Sequence, residues 1–369
     1  MPLLPVSGYS VAQLVKALHR SPREVSYRFD VLDERNVYQR AATNVSGGSL
    51  QNNALSDIKR GGTFQISEDD NIDWPRERIM PFFRLRMPNG GWAEWPLGVF
   101  LLATPKRSVR SVRTIRSVEA YDQLLVLADD RIEDRYVVSK DSSYTDAVRL
   151  FLQDTPGLGR IIITNSNAIL PVDREWEPNT TRLRIVNDLL GAINYNSLYF
   201  DAMGVGRVTP YQEPGGRPID YRYLADSNSL ISPEAESDLD MFDVPNRFIG
   251  VVSEPDRPPL RSVYVNENPE SPTSTVRRGR IIVEVMEDME AADQEALDSL
   301  VRRAALRRAQ IYEGLSISTA VMPFHGNLDV LEVNYDRIGE AGRYIETSWS
   351  FDLEPGSLMK HDMRRMVEV

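Results

Sequence analysis

The sequence predicts a β-rich α+β fold. Three observations carry that reading. Short segments alternating polar and apolar residues recur along most of the chain, Gly- and Pro-containing turns punctuate them, and only four stretches keep a helical period.

Residues 1–24 read as an arm and a helix. Ser10 and Gln13 have capping-box spacing, Val11, Leu14, Val15 and Leu18 form one apolar stripe, and Pro22 stops the run. Residues 25–118 read as a first β domain, a sandwich or small barrel. Val25 to Val31 and Thr63 to Ser67 alternate at period two, and Phe82–Met87 and Trp92–Leu102 flank a Pro88-Asn89-Gly90-Gly91 turn as hairpin partners. Residues 119–201 read as an α/β subdomain. Ser143 and Thr181 stand where helix N-caps belong, and Arg160–Thr164 forms a β-branched strand between the two helices.

Residues 202–285 return to β structure with turn-rich connections, including Asn246–Val252 and Arg280–Val285. Residues 286–314 hold the clearest helix, expected over 291–314. Leu297, Leu300, Val301, Ala304 and Ile311 line one side, Arg302, Arg303, Arg307 and Arg308 the other, and Gly314 takes the C-cap. Residues 315–357 read as further strands, and 358–369 as a mobile charged tail.

Composition narrows the chemistry. The chain has 369 residues, 41% hydrophobic and 26% charged, which is a globular composition and not a disordered one. It has no cysteine, which removes disulfides, thiolate metal sites and thiol catalysis together. The longest apolar run, Leu97–Ala103, is far shorter than a membrane span, and the first residues do not form a signal-peptide pattern. Net charge is −11, but it is uneven: residues 1–124 hold 17 Lys and Arg against 13 Asp and Glu, while 125–369 hold 26 against 41. An acidic chain of this kind is a poor candidate for tight charge-driven DNA binding.

The basic residues concentrate in 106–116. Lys106, Arg107, Arg110, Arg113 and Arg116 fall within eleven residues, and a single strand there would put Arg110 and Arg116 on one face and Arg113 on the other. With Arg302, Arg303, Arg307 and Arg308 they are the candidate interface residues, suited to forked contacts with carboxylates. A charged edge strand that resists unwanted pairing is the competing reading.

Catalytic and metal residues are assigned as none. His19, His325 and His361 each stand alone in sequence, without a second histidine or an acid at ligand spacing. No nucleophile elbow or phosphate-binding loop is present, and Gly157-Leu158-Gly159 and Gly204-Val205-Gly206 lack the rest of a dinucleotide fingerprint. The acidic runs Glu68–Asp73 and Asp238–Asp243 could offer oxygens to calcium but lack EF-hand spacing, and solvated loops are the simpler reading. No cofactor is expected.

Several stretches, taken in order, resemble the tail hub proteins of long-tailed bacteriophages. These are Trp95–Leu102, Val118–Leu125, Leu183–Tyr195 with Leu198–Asp201, Pro245–Phe248, and Asn266–Pro272 with Arg278-Gly279-Arg280. Minor tail proteins of actinobacteriophages look most similar, in keeping with 38 Arg against 5 Lys. The resemblance implies two small β-barrels interleaved with two peripheral α/β subdomains. It implies a structural virion protein: a homotrimeric hub at the distal tail end, joining the distal tail protein ring to the tape measure protein and the tip fibre or receptor-binding proteins. DNA would pass through it transiently. The protein would be assembled in the host cytoplasm and reside in the virion. The alternative is a tail-tip enzyme or carbohydrate-binding protein acting on the host surface.

Overall fold

The computed structural model describes residues 8–67, 72–103, 106–110, 113–212, 216–226, 229–240, 242–252, 259–287, 294–308, 311–335 and 339–367. Helix α1 (Val11–Leu18) forms behind its expected capping box: Ser10 Oγ accepts from the Gln13 amide while the Gln13 side chain accepts from the Ser10 amide. Two otherwise orphaned donors are satisfied this way, and Leu14, Ala17 and Leu18 are buried.

Nine strands follow. They are β1 (Val25–Leu32), β2 (Tyr38–Ala42), β3 (Val45–Asn53), β4 (Arg60–Ser67), β5 (Arg78–Arg86), β6 (Trp92–Pro96), β7 (Phe100–Leu102), β8 (Lys106–Arg110) and β9 (Arg113–Tyr121). The hairpin read from the sequence is present, with Phe82 opposite Pro96 and Arg86 opposite Trp92. Inward aromatics pack edge to face: Phe29 on Phe64 at 6.1 Å, Phe64 on Phe100 at 5.8 Å and Phe83 on Trp95 at 5.9 Å between ring centroids. Strands β3 and β4 approach so closely that a Cβ on Gly48 would stand 2.0 Å from the Thr63 carbonyl oxygen, and one on Gly62 2.1 Å from that of Ser49. Only glycine fits those two positions.

The α/β segment holds α2 (Leu124–Asp129), β10 (Tyr136–Val138), α3 (Tyr144–Gln153), β11 (Ile161–Ile163), β12 (Arg174–Trp176), α4 (Arg182–Ala192), β13 (Tyr199–Phe200) and β14 (Gly206–Val208). Ser143 and Thr181 cap α3 and α4 through their side chains, as the sequence indicates. Leu127, Val148, Phe151, Ile185, Leu189 and Phe200 belong to one apolar core.

Then come β15 (Tyr221–Leu224), β16 (Ile231–Asp240), β17 (Arg247–Val252), β18 (Leu260–Val265), α5 (Thr275–Arg278), β19 (Val283–Met286) and α6 (Gln294–Arg308). The chain ends on β20 (Ile311–Ala320), β21 (Val330–Tyr335), β22 (Glu340–Asp352) and β23 (Leu358–Val367).

The two-barrel expectation is corrected here. Fifteen strands form one sheet whose main path runs β16-β20-β23-β22-β3-β4-β9-β7-β5-β1-β2, with β21 and β15, β6, and β8 attached beside it. Two- and three-stranded sheets complete the set, and no sheet of the described residues closes into a barrel. The physical reason is β22. Its 13 residues reach across to β3, pairing Ser348 with Asn53 through Asp352 with Ser49, so the last strands continue the ladder of the first block.

Two further expectations change. Helix α6 stops at Arg308, and Gly314 lies within β20, because Ile311 and Tyr312 lead directly into the Leu315-Ser316-Ile317 alternation. The tail expected to be mobile is instead strand β23, where Met359, His361 and Met363 alternate inward. The chain divides into two compact units: residues 1–234 with 317–362, and 235–316 with 363–369. In the second unit, α6 lays Leu297, Val301 and Ala305 against Phe248, Val252 and Met286 of the β18-β17-β19 sheet.

Candidate functional site

The first unit buries a cluster of polar side chains where β15, β20, β22 and β23 present inward positions. Tyr223 comes from β15, Thr319 from β20, Glu346 from β22 and His361 from β23, while His325 comes from the loop after β20. All five are at most 3% exposed. Glu346 lies at the centre. Its Oε2 is 2.8 Å from His325 Nδ1 and its Oε1 is 2.5 Å from His361 Nδ1. The outer ring nitrogens are taken as well: His325 Nε2 lies 2.7 Å from the Tyr223 hydroxyl and His361 Nε2 2.8 Å from the Thr319 hydroxyl. A carboxylate only accepts, so both Nδ1–H groups donate to it, and the hydroxyls serve as donor or acceptor for the outer nitrogens.

This arrangement separates the two histidines electrically. Burial disfavours a charge on His325, but the Glu346 carboxylate outweighs it and holds its pKa above the ordinary value. Burial dominates at His361, which is pushed down. Burial also works against the Glu346 charge, and the two imidazoles overcome it, keeping the carboxyl ionised below its usual range. The charged form is thus favoured at His325 and disfavoured at His361, although both share one carboxylate.

The expectation that each histidine stands alone is corrected by this geometry. His325, Glu346 and His361 are also the group among the described residues whose ligand atoms lie within 4.8 Å of one another, the kind of set that holds a metal. The residues do not fit a metal ion well. Both Nδ1 atoms are at direct hydrogen-bonding distance from the carboxylate, all four ring nitrogens have partners, and only three ligands converge where a closed zinc site takes four. No spacing signal marks the cluster, because its members meet through strand pairing over separations of 15 and 21 residues and more. His19 is elsewhere, with its Nε2 2.6 Å from the Tyr221 hydroxyl.

His325 also borders a cleft of about 590 Å³ with Arg60, Asp201, Arg207, Arg217, Asp220 and Asp329 among its walls. Most of its charges are already matched: Arg207 pairs with Asp201 at 2.7 Å and Arg217 with Asp220 at 3.3 Å. Buried Arg60 donates to the carbonyls of Leu97 and His325, tying two loops together. Burial pushes Asp329 up to about 6.

The interface candidates are placed only in part. Residues 108–118 are not one strand: β8 and β9 form a hairpin, with Arg107 opposite Arg116 and Arg110 opposite Arg113 in register. The side chains of Lys106, Arg107, Arg110 and Arg113 lie outside the described residues, as do those of Arg303, Arg307 and Arg308. The Arg116 guanidinium stands over the Trp74 ring at 5.7 Å, and Arg302 is exposed on α6. The acidic stretch 68–71 and the side chains of 238–241 also lie outside the described residues.

No family model matches the chain, and no curated protein matches it. Its fold does have counterparts among solved structures. A tail protein from Neisseria meningitidis superposes with a TM-score of 0.66 at 12% identity, over 92% of this chain and 97% of that one. This chain has the fold of a tail protein. A 43 kDa tail protein of prophage MuSo2 from Shewanella oneidensis gives 0.62 at 10% identity, over 91% and 98%. A PdpA–VgrG complex from Francisella gives 0.59 at 6% identity, over 95% of this chain and 55% of that one. The likeness is one of fold, and it singles out no actinobacteriophage protein.

Proposed function

We propose that the chain is a structural component of a phage tail, built as a ring of three copies at the distal end. The observation that carries this reading is the end-to-end correspondence with the Neisseria tail protein, 92% of this chain against 97% of that one. In this reading the ring joins the distal tail ring to the tape measure and the tip, gives DNA its path, and resides in the virion after assembly in the host cytoplasm. Copy number in a density map of the assembled tail tests it. Three copies at this level are expected, and any other number overturns the ring.

The reading assigns no catalysis. The histidine cluster supports this, since its ring nitrogens are engaged inside the core and offer a substrate nothing. Purified protein is expected to leave peptidoglycan and polysaccharide intact. Hydrolysis abolished by Asp329→Asn would overturn the assignment.

The basic hairpin is assigned to docking on an acidic neighbouring ring and not to the channel. A passage that must release DNA quickly is poorly served by cations, because each phosphate contact adds salt-sensitive binding. Arg–carboxylate forks would instead give orientation as well as attraction. Replacing Arg110, Arg113 and Arg116 together by Ser is expected to weaken tail assembly and leave the fold intact. Guanidinium groups pointing into an open channel, away from any carboxylate, would refute it. Arg302, Arg303, Arg307 and Arg308 are assigned to solvent or to an acidic neighbour.

A further inference from the structure

The β18-β17-β19 sheet of the second unit is finished on one face only. Phe248, Val252 and Met286 point toward α6 and are buried. Alternation sends their neighbours the other way. The register sets Ile249 between Val263 and Val285, and Arg247 between Val265 and Val283, with Val251 opposite Arg261. The outer face is therefore a contiguous patch of β-branched side chains. Val263, Val283 and Val285 are 39%, 49% and 51% exposed, and Ile281, just before β19, is 58% exposed. One of the two pairings, β17 with β19, is parallel. Exposed contiguous apolar patches mark contact surfaces.

The charges on this face say what kind of surface covers it. Its polar members are Arg247 and Arg261, and neither has an ion pair among the described residues. No acid shares the face in β17, β18 or β19. Two copies meeting face to face would set arginine against arginine. A copy meeting it with a different surface brings the acidity that the chain has in excess, 54 Asp and Glu against 43 Lys and Arg. On β16, an end strand of the large sheet, Glu234 and Glu236 are exposed and have no ion pair among the described residues. Apolar centre, basic rim and an acidic counterpart elsewhere on the same chain make a head-to-tail contact, the type that closes into rings.

We propose that the outer face of the β18-β17-β19 sheet is where a second copy of this chain docks head to tail, with Arg247 and Arg261 meeting acidic side chains such as Glu234 and Glu236 of that copy. This rests on the three-copy reading and names the surface that makes it.

Sedimentation equilibrium on the full chain tests the proposal, with circular dichroism to confirm folding. Wild type is expected to self-associate, and more weakly at high salt. Val285→Asp and Arg261→Glu should each weaken association at least tenfold, and Glu236→Arg should restore part of what Arg261→Glu loses. Unchanged association in both single variants overturns this face and leaves the three-copy reading standing. A wild type that stays monomeric at every concentration also overturns it as a self-contact, and copy number in the tail then decides the ring separately.

Discussion

Two regions of this protein invert the usual rule about what is buried. Around Glu346 the first unit buries charge, and on the outer face of β18-β17-β19 the second unit leaves hydrocarbon exposed. The buried charge is complete in itself, since every polar atom of the His325–Glu346–His361 set has a partner within the chain. The exposed hydrocarbon is incomplete in itself, because burial of its other face by α6 does nothing for Val263, Val283 and Val285. A polar group is tolerated in a core when it is satisfied, and an apolar face is tolerated on a surface when assembly will cover it.

The comparison breaks most easily at its centre. Glu346→Ala leaves two imidazoles facing an empty polar pocket and is expected to cost about 3–5 kcal/mol in denaturant unfolding of the first unit. A loss below about 1 kcal/mol would show that the cluster does not hold its strands together. Val301→Asp places an unpaired carboxylate between α6 and its sheet and should cost about 3 kcal/mol. Hydrogen exchange should locate that loss in residues 247–308, and wild-type protection there would mean α6 is turned the other way.

The pH dependence sharpens the first half of the comparison. His325, raised when folded, contributes stability that is fully present below pH 6.5 and lost as pH rises through its folded value. Asp329 and Asp122 are both raised by burial to about 6, so the folded state takes up protons there more readily than the unfolded chain. Their contribution is likewise lost as pH rises through about 6. His361 acts in the opposite direction, since it is held neutral and loses stability as pH falls below 6.5. In His361→Gln, where the one opposing titration is gone, stability should rise on going from pH 8 to pH 6. A flat or falling profile on going from pH 8 to pH 6 would contradict the charge assignment. The smallest effect belongs to the bare face: Val285→Asp should change the stability of the isolated chain by less than about 0.5 kcal/mol. A large loss there would mean that the face is already covered.

Local signals were legible where they depend on neighbouring residues. Ser10 with Gln13, Ser143 and Thr181 act as caps, and the Trp92–Pro96 hairpin partner pairs as its turn indicates. What failed depends on remote residues. Strand β23 reads as a charged tail because Lys360 and Asp362 alternate with Met359, His361 and Met363, and a histidine counts as an inward residue only once Glu346 is opposite. The acidic strand β16 was hidden in the same way by its own composition.

By itself the sequence determined the β-rich class, the caps and turns, and the absence of cysteine chemistry, because caps, turns and residue types act within a few residues of themselves. Only the tertiary structure decided that fifteen strands make one open sheet, that two histidines share one carboxylate, and that one face of β18-β17-β19 is bare. Each of these is set by strand pairing between distant segments, and the choice of partner is made by register and burial across the whole chain, which no local pattern encodes.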